Sequence, residues 1–138
     1  MTYEEYEKEC ERIRTENAAL IETFIAEMEE KGLSRKTIKT HVDNVDLYIN
    51  DFLLREAAEP MESGLSRLDS FFYFFIHKCM WSTPGNVKTT AASLKKFYKC
   101  MMEHGRIEND DYKHFCEDLK EGVPEWQEEC ADLNNDDW

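Results

Sequence analysis

The chain has 138 residues, 41% of them hydrophobic, with five glycines and three prolines, which gives it the length and apolar content of one packed domain. Its longest apolar run, Phe71 to Ile76, is far short of the roughly 20 residues that cross a bilayer, so no membrane span is expected. A formal net charge of −13 sets the surface as a whole against wrapping nucleic acid.

That charge is uneven. Residues 1–32 carry four Lys/Arg against ten Asp/Glu, residues 33–106 carry eleven against eight, and residues 107–138 carry two against twelve. A mildly basic centre therefore stands between two acidic ends. The N-terminus has no basic start and no small-residue cleavage site, which predicts a cytoplasmic protein without a signal peptide. Cys10, Cys79, Cys100, Cys116 and Cys130 form no C-x-x-C pair, and an odd count suits buried reduced thiols better than a disulfide framework. His77 and Cys79 are two apart and would point to different helix faces, so no metal and no cofactor is expected.

Thr2-Tyr-Glu-Glu5 has the form of a capping box and opens the first helix. Tyr6, Cys10, Ile13, Leu20, Ile21, Phe24, Ile25 and Met28 follow at three- and four-residue steps along one face. Asn17 interrupts the stripe and marks a kink or break, and Lys31-Gly32 supplies the stop. Ser34 caps a second helix whose stripe, Ile38, Val42, Val45, Ile49, Phe52 and Leu53, reaches about Arg55. Glu56 to Gly64 reads as a loop. Ser66-Arg-Leu-Asp69 reads as another capping box, opening a helix through Phe71-Phe-Tyr-Phe-Phe-Ile76 that is apolar nearly all round and should be the central one. Ser82-Thr83-Pro84 reads as a cap followed by proline in the first turn. From there Val87, Ala91, Leu94, Tyr98 and Met101 carry a fourth helix to His104 and Gly105. Asn109 caps a segment with Tyr112, Phe115 and Leu119 that should end at Gly122. Pro124 begins a short continuation with Trp126, Cys130 and Leu133, and Asn134 to Asp137 form an acidic tail before Trp138. The expected fold class is all-α, with Phe72, Phe75, Ile49, Leu94 and Tyr98 mutually buried.

Two helix starts look alike: Gly32-Leu-Ser-Arg-Lys-Thr-Ile38 and Trp81-Ser-Thr-Pro-Gly-Asn-Val87. The second runs on through Leu94-Lys-Lys-Phe-Tyr98 to Glu103-His-Gly-Arg-Ile107. Over about residues 17–107 this pattern resembles the N-terminal, core-binding SAM-like domain of tyrosine recombinases (phage integrases). The resemblance implies an orthogonal four-helix bundle over residues 1–107. Residues 108–138 have no counterpart in that family; the continuous spacing of Tyr112, Phe115, Leu119 and Trp126 predicts an acidic helical extension and tail packed on the bundle, since a short lone helix is marginal in water. The resemblance also implies duplex DNA as partner, in a setting of DNA integration or site-specific recombination. The contacts carried over are Ser34, Arg35, Lys36, Thr37, Lys39 and Thr40 on the second helix, and Thr83, Asn86, Lys88, Thr89 and Lys95 on the fourth. Hydroxyls, lysines, arginines and helix N-termini are suitable phosphate donors.

The recombinase active site lies in a separate domain with Arg, His-x-x-Arg and a nucleophilic Tyr. No H-x-x-R occurs here, since His104-Gly-Arg106 is one residue short, and about 30 residues after the bundle cannot build such a domain. His41, His77, His104 and His114 have no Ser or Cys partner at a hydrolase spacing. The expected function is therefore a non-catalytic DNA-binding module with no small-molecule substrate. The alternative is an acidic helical domain that binds a protein partner, or itself, through its ends.

Overall fold

The computed structural model describes residues 1–135, and over them the protein is all-helical, with no strand among the described residues. Asp136, Asp137 and Trp138 lie outside the described residues. Five α-helices follow in chain order: α1 (Tyr3–Glu30), α2 (Arg35–Asp46), α3 (Leu68–Lys78), α4 (Pro84–Glu103) and α5 (Asn109–Asn135).

Thr2 Oγ1 accepts from the Glu5 amide at 3.1 Å and starts α1. The helix then runs 28 residues without a break, so Asn17 is not an interruption. Its side chain is buried, and its amide donates to the Ile49 carbonyl at 3.2 Å and to Asn50 Oδ1 at 2.8 Å. Those acceptors belong to a π turn, Leu47–Asp51, that continues α2 before a 3-10 turn at Phe52–Leu54. A polar residue in the apolar stripe thus serves the backbone of the next helix, where the wider turn departs from regular α geometry. Gly32 and Gly105 follow the ends of α1 and α4 with φ of 80° and 74°, the left-handed conformation that ends a helix and that glycine adopts without steric cost.

The capping box at Ser66 does not form. Residues Met61–Ser66 make a 3-10 turn, Ser66 Oγ donates back to the Ser63 carbonyl, and α3 starts one residue later behind Arg67 with no side-chain cap. That turn is fixed by two buried tyrosines, the Tyr48 hydroxyl donating to the Gly64 carbonyl and the Tyr98 hydroxyl to the Met61 carbonyl at 2.7 Å. A Cβ on Gly64 would collide with both rings.

The central helix is α4, not α3. It packs against α1, α2, α3 and α5 and buries Val87, Ala91, Leu94, Phe97, Tyr98, Cys100 and Met101. Helix α3 leaves Asp69, Ser70 and Tyr73 exposed, so its apolar run faces the core on one side only. Phe72, Phe75, Ile49, Leu94 and Tyr98 do share one buried cluster.

Helix α5 is also continuous. Asn109 is its first residue, not a cap, and the helix passes through Gly122 and Pro124 without ending. Gly122 is buried because the indole of Trp126, one turn on, folds back over it; that indole stacks on Phe72 with centroids 4.2 Å apart. Phe115, Leu119, Trp126 and Cys130 belong to the same core cluster as Phe24, Phe72 and Leu94, and Tyr112 packs on its edge. A smaller cluster of Cys10, Ile13 and Leu54 ties the start of α1 to the end of the α2 segment. All five cysteines are unpaired; Cys116 is half-buried and the other four are buried.

Candidate nucleic-acid interface

All eleven residues of the two helix starts are exposed. Ser34 caps α2, its Oγ accepting from the Thr37 amide at 3.2 Å and donating to Thr37 Oγ1 at 3.0 Å. Thr83 caps α4 in the same way, accepting from the Asn86 amide at 3.0 Å, while Asn86 Nδ2 donates to the Trp81 carbonyl at 2.8 Å. The Thr40 and Thr89 hydroxyls donate to the carbonyls of Lys36 and Gly85 one turn back. Five of the six neutral side chains therefore build the helix starts through their own hydrogen bonds, and Thr37 takes part as the partner of Ser34.

The cations divide differently. Lys39 is paired with Asp43 at 2.8 Å, an exposed i,i+4 pair of little energetic weight. Arg35, Lys36, Lys88 and Lys95 make no ion pair among the described residues. Lys88, Lys95 and Lys99 stand exposed at i, i+7 and i+11, one ridge of α4, with half-buried Lys96 beside it. Lys88 and Lys95 also flank a shallow apolar groove between α4 and α5, floored by Ala91, Leu119 and Val123 and faced by Glu117 and Lys120.

Helix dipoles sharpen this pattern. The first turn of α1 holds Glu4 and Glu5, that of α3 Asp69, and that of α5 Asp110 and Asp111. Neither α2 nor α4 has a carboxylate there. In a chain with 30 Asp and Glu residues, the positive ends of these two helices alone are left uncompensated by their own first turns. The backbone N–H groups of Arg35, Lys36 and Gly85 have no intrahelical acceptor.

No family model, curated protein or solved structure matches this chain.

The two helices that carry these starts are packed against each other at a polar seam. Ser93 of α4 is fully buried; its Oγ donates to the Thr89 carbonyl at 3.1 Å, accepts from Asn44 Nδ2 at 3.0 Å and lies 2.7 Å from His41 Nδ1. Burial, and then the nearby charge of Lys96, hold the His41 imidazole below its ordinary pKa. A Ser–His contact thus exists, across 52 residues that no local motif spans. Ser93 is sealed from solvent, so the contact clamps α2 to α4 and offers no nucleophile to a substrate. No hydrogen bond or ion pair joins the α2 set directly to the α4 set among the described residues; the two helices meet through His41, Asn44 and Ser93, which lie beyond both starts.

A second grouping also escaped sequence reading. Glu27 of α1 meets Cys100 and His104 at the end of α4, with one oxygen, the sulfur and a ring nitrogen all within 4.8 Å of one another. The available signal was the Cys100-x-x-x-His104 spacing, which puts both side chains on one helix face; Glu27 comes from 73 residues away and had no local mark.

Proposed function

We propose that the protein is a non-catalytic DNA-binding module of the recombinase core-binding kind, holding duplex phosphates at the starts of α2 and α4. One observation carries this reading: α2 and α4 are the two α-helices among the described residues without a first-turn carboxylate, and both present exposed, unpaired cations, Arg35 and Lys36 on one and Lys88 and Lys95 on the other. Phosphate contacts of this kind position a duplex without reading its sequence. Exposed Met80 and Trp81 stand immediately before the α4 cap and add apolar surface beside the basic start. Helix α5 opposes the binding, because its acidic surface, Glu117 in particular, borders the same lysines.

The reading is tested by gel shift of the full chain on duplex DNA across a salt series. The double variant Lys36→Glu, Lys88→Glu should lose the shift, and each phosphate contact removed should lower the salt slope by roughly one unit. Glu117→Gln should tighten binding at low salt, with the gain fading as the Debye length shrinks to about 8 Å at physiological strength. No shift of duplex DNA at low salt by the parent protein or by Glu117→Gln would refute DNA binding. The acidic ends would then be the interaction surface, for a protein partner or a second copy of the chain.

A further inference from the structure

Near the ends of α1 and α4, the side chains of Glu27, Cys100 and His104 converge from two helices. Cys100 and His104 are one turn apart on α4, and Glu27 reaches them from the last turns of α1. One Glu27 oxygen is held by Lys31 Nζ at 2.9 Å, which leaves the other turned toward the imidazole, 3.6 Å from His104 Nε2. That is too long for a hydrogen bond, and neither ring nitrogen of His104 has a hydrogen-bond partner among the described residues. The sulfur is buried behind Glu27 and His104, while His104 is half-exposed at the rim of a cleft beside Glu30 and Glu103. The open side is therefore a cleft with three carboxylates and one lysine, a field that draws cations.

We propose that Glu27, Cys100 and His104 form a zinc-binding site with its fourth position open to the cleft and filled by water. The donor set decides the metal. One thiolate, one imidazole and one carboxylate suit a borderline-soft ion in tetrahedral geometry, whereas magnesium and calcium take oxygen donors. With bonds of about 2.3 Å to sulfur and about 2.0–2.1 Å to nitrogen and oxygen, the ligand atoms of a tetrahedral zinc stand roughly 3.3–3.7 Å apart. The carboxylate–imidazole separation of 3.6 Å already meets that, and the rest of the set, within 4.8 Å, needs only side-chain adjustment. On binding, the Cys100 S–H bond breaks, its proton passes to solvent, and the sulfur lone pair forms the bond to zinc; nothing is oxidised or reduced. Glu27 binds through the oxygen that Lys31 does not hold. The metal then ties α1 to α4 at the end farthest from the cap of α4.

The test is titration of the full-length, reduced, chelator-stripped protein with Co2+, followed by displacement with Zn2+. One equivalent should give the visible bands of tetrahedral cobalt together with a thiolate-to-cobalt charge-transfer band, and zinc should abolish both. His104→Ala removes an exposed side chain without touching the core, and it should weaken binding by at least about tenfold, as should Glu27→Gln. Cys100→Ser should eliminate the charge-transfer band, while His77→Ala and Cys116→Ser should titrate like the parent. The proposal is overturned by absence of the charge-transfer band at one equivalent, or by a folded His104→Ala that binds cobalt as tightly as the parent.

Discussion

Helix α4 has two seams of different chemistry. Toward α5 the contact is apolar: Tyr98 meets Phe115 at 4.7 Å, and Ala91, Leu94 and Leu119 fill the space between the helices. The two run antiparallel, since Gln127 near the end of α5 donates to the Pro84 carbonyl at the start of α4. Toward α2, α4 buries a hydroxyl, and Ser93 holds His41 and Asn44 across the interface. Apolar contact is non-directional and scales with the area removed from water, so the α5 seam supplies stability. A buried hydroxyl with three partners contributes little net energy but permits few geometries, so the α2 seam fixes how α2 is set against α4.

The comparison breaks most sharply at Trp126. Its indole stacks on Phe72 and covers Gly122, joining α5 to α3 as well as to its own preceding turn. Trp126→Ala should cost about 3–5 kcal/mol in chemical denaturation, the range for deleting a buried aromatic. A loss under about 1 kcal/mol, the scale of a surface substitution, would mean that α5 is held by its contact with α4 and not by this indole. Gly122→Ala attacks the same place from the other side. The new Cβ would run into an indole that Phe72 holds in place, and overpacking of this kind costs about 1–3 kcal/mol. Because alanine has the higher helix propensity by roughly 1 kcal/mol, a stabilising Gly122→Ala would show that the indole is free to move.

Helix existence and the apolar faces were legible in the sequence. Thr2, Ser34 and Thr83 cap where their spacing predicts, and Phe72, Phe75, Ile49, Leu94 and Tyr98 are buried together. What misled was local chemistry with a distant partner. Asn17 looked like a break because its acceptors lie 32 and 33 residues away. Gly122 and Pro124 looked like a stop, yet the Trp126 indole needs the bare glycine and tertiary packing carries the helix past the proline. The aromatic run of α3 suggested the centre of the fold, but that place belongs to α4, whose neighbours on four sides no periodicity reveals. Of the candidate site, the exposed residues and their two caps could be read in advance. The missing first-turn carboxylates were also in the sequence, but they became meaningful only once the helix starts were fixed. The Ser93–His41 clamp and the Glu27, Cys100 and His104 grouping depend on helix packing and had no complete local signal.

On the α2 side the expected effects are smaller. Ser93→Ala removes the shared partner of His41 and Asn44. Both are half-buried and water can reach them in part, so the loss should lie near the low end for an unsatisfied polar group, about 1 kcal/mol. If the seam sets geometry more than stability, this variant should also weaken DNA binding while α5 stays docked, as near-ultraviolet dichroism of Trp126 would report. A loss as large as that of Trp126→Ala would erase the distinction between the seams.

The smallest effect is the most specific, because it depends on pH. Burial, reinforced by the charge of Lys96, lowers the folded-state pKa of His41 below the ordinary value of 6.5, so the folded protein favours the neutral imidazole. Between that ordinary value and the lowered one, the unfolded chain binds the proton more readily than the folded chain does, and stability must rise with pH across the interval. The contribution of His41 is therefore complete above about pH 6.5 and is lost as pH falls through its folded-state pKa. His41→Gln keeps a polar side chain beside Ser93 but cannot take up this proton. Urea unfolding of both proteins at about pH 7.5 and about pH 5 should show the parent losing more stability than the variant on acidification. Equal losses would mean that His41 is not the group that senses pH at this seam. A parent that gains stability relative to the variant would mean that the imidazole is held there in its charged form.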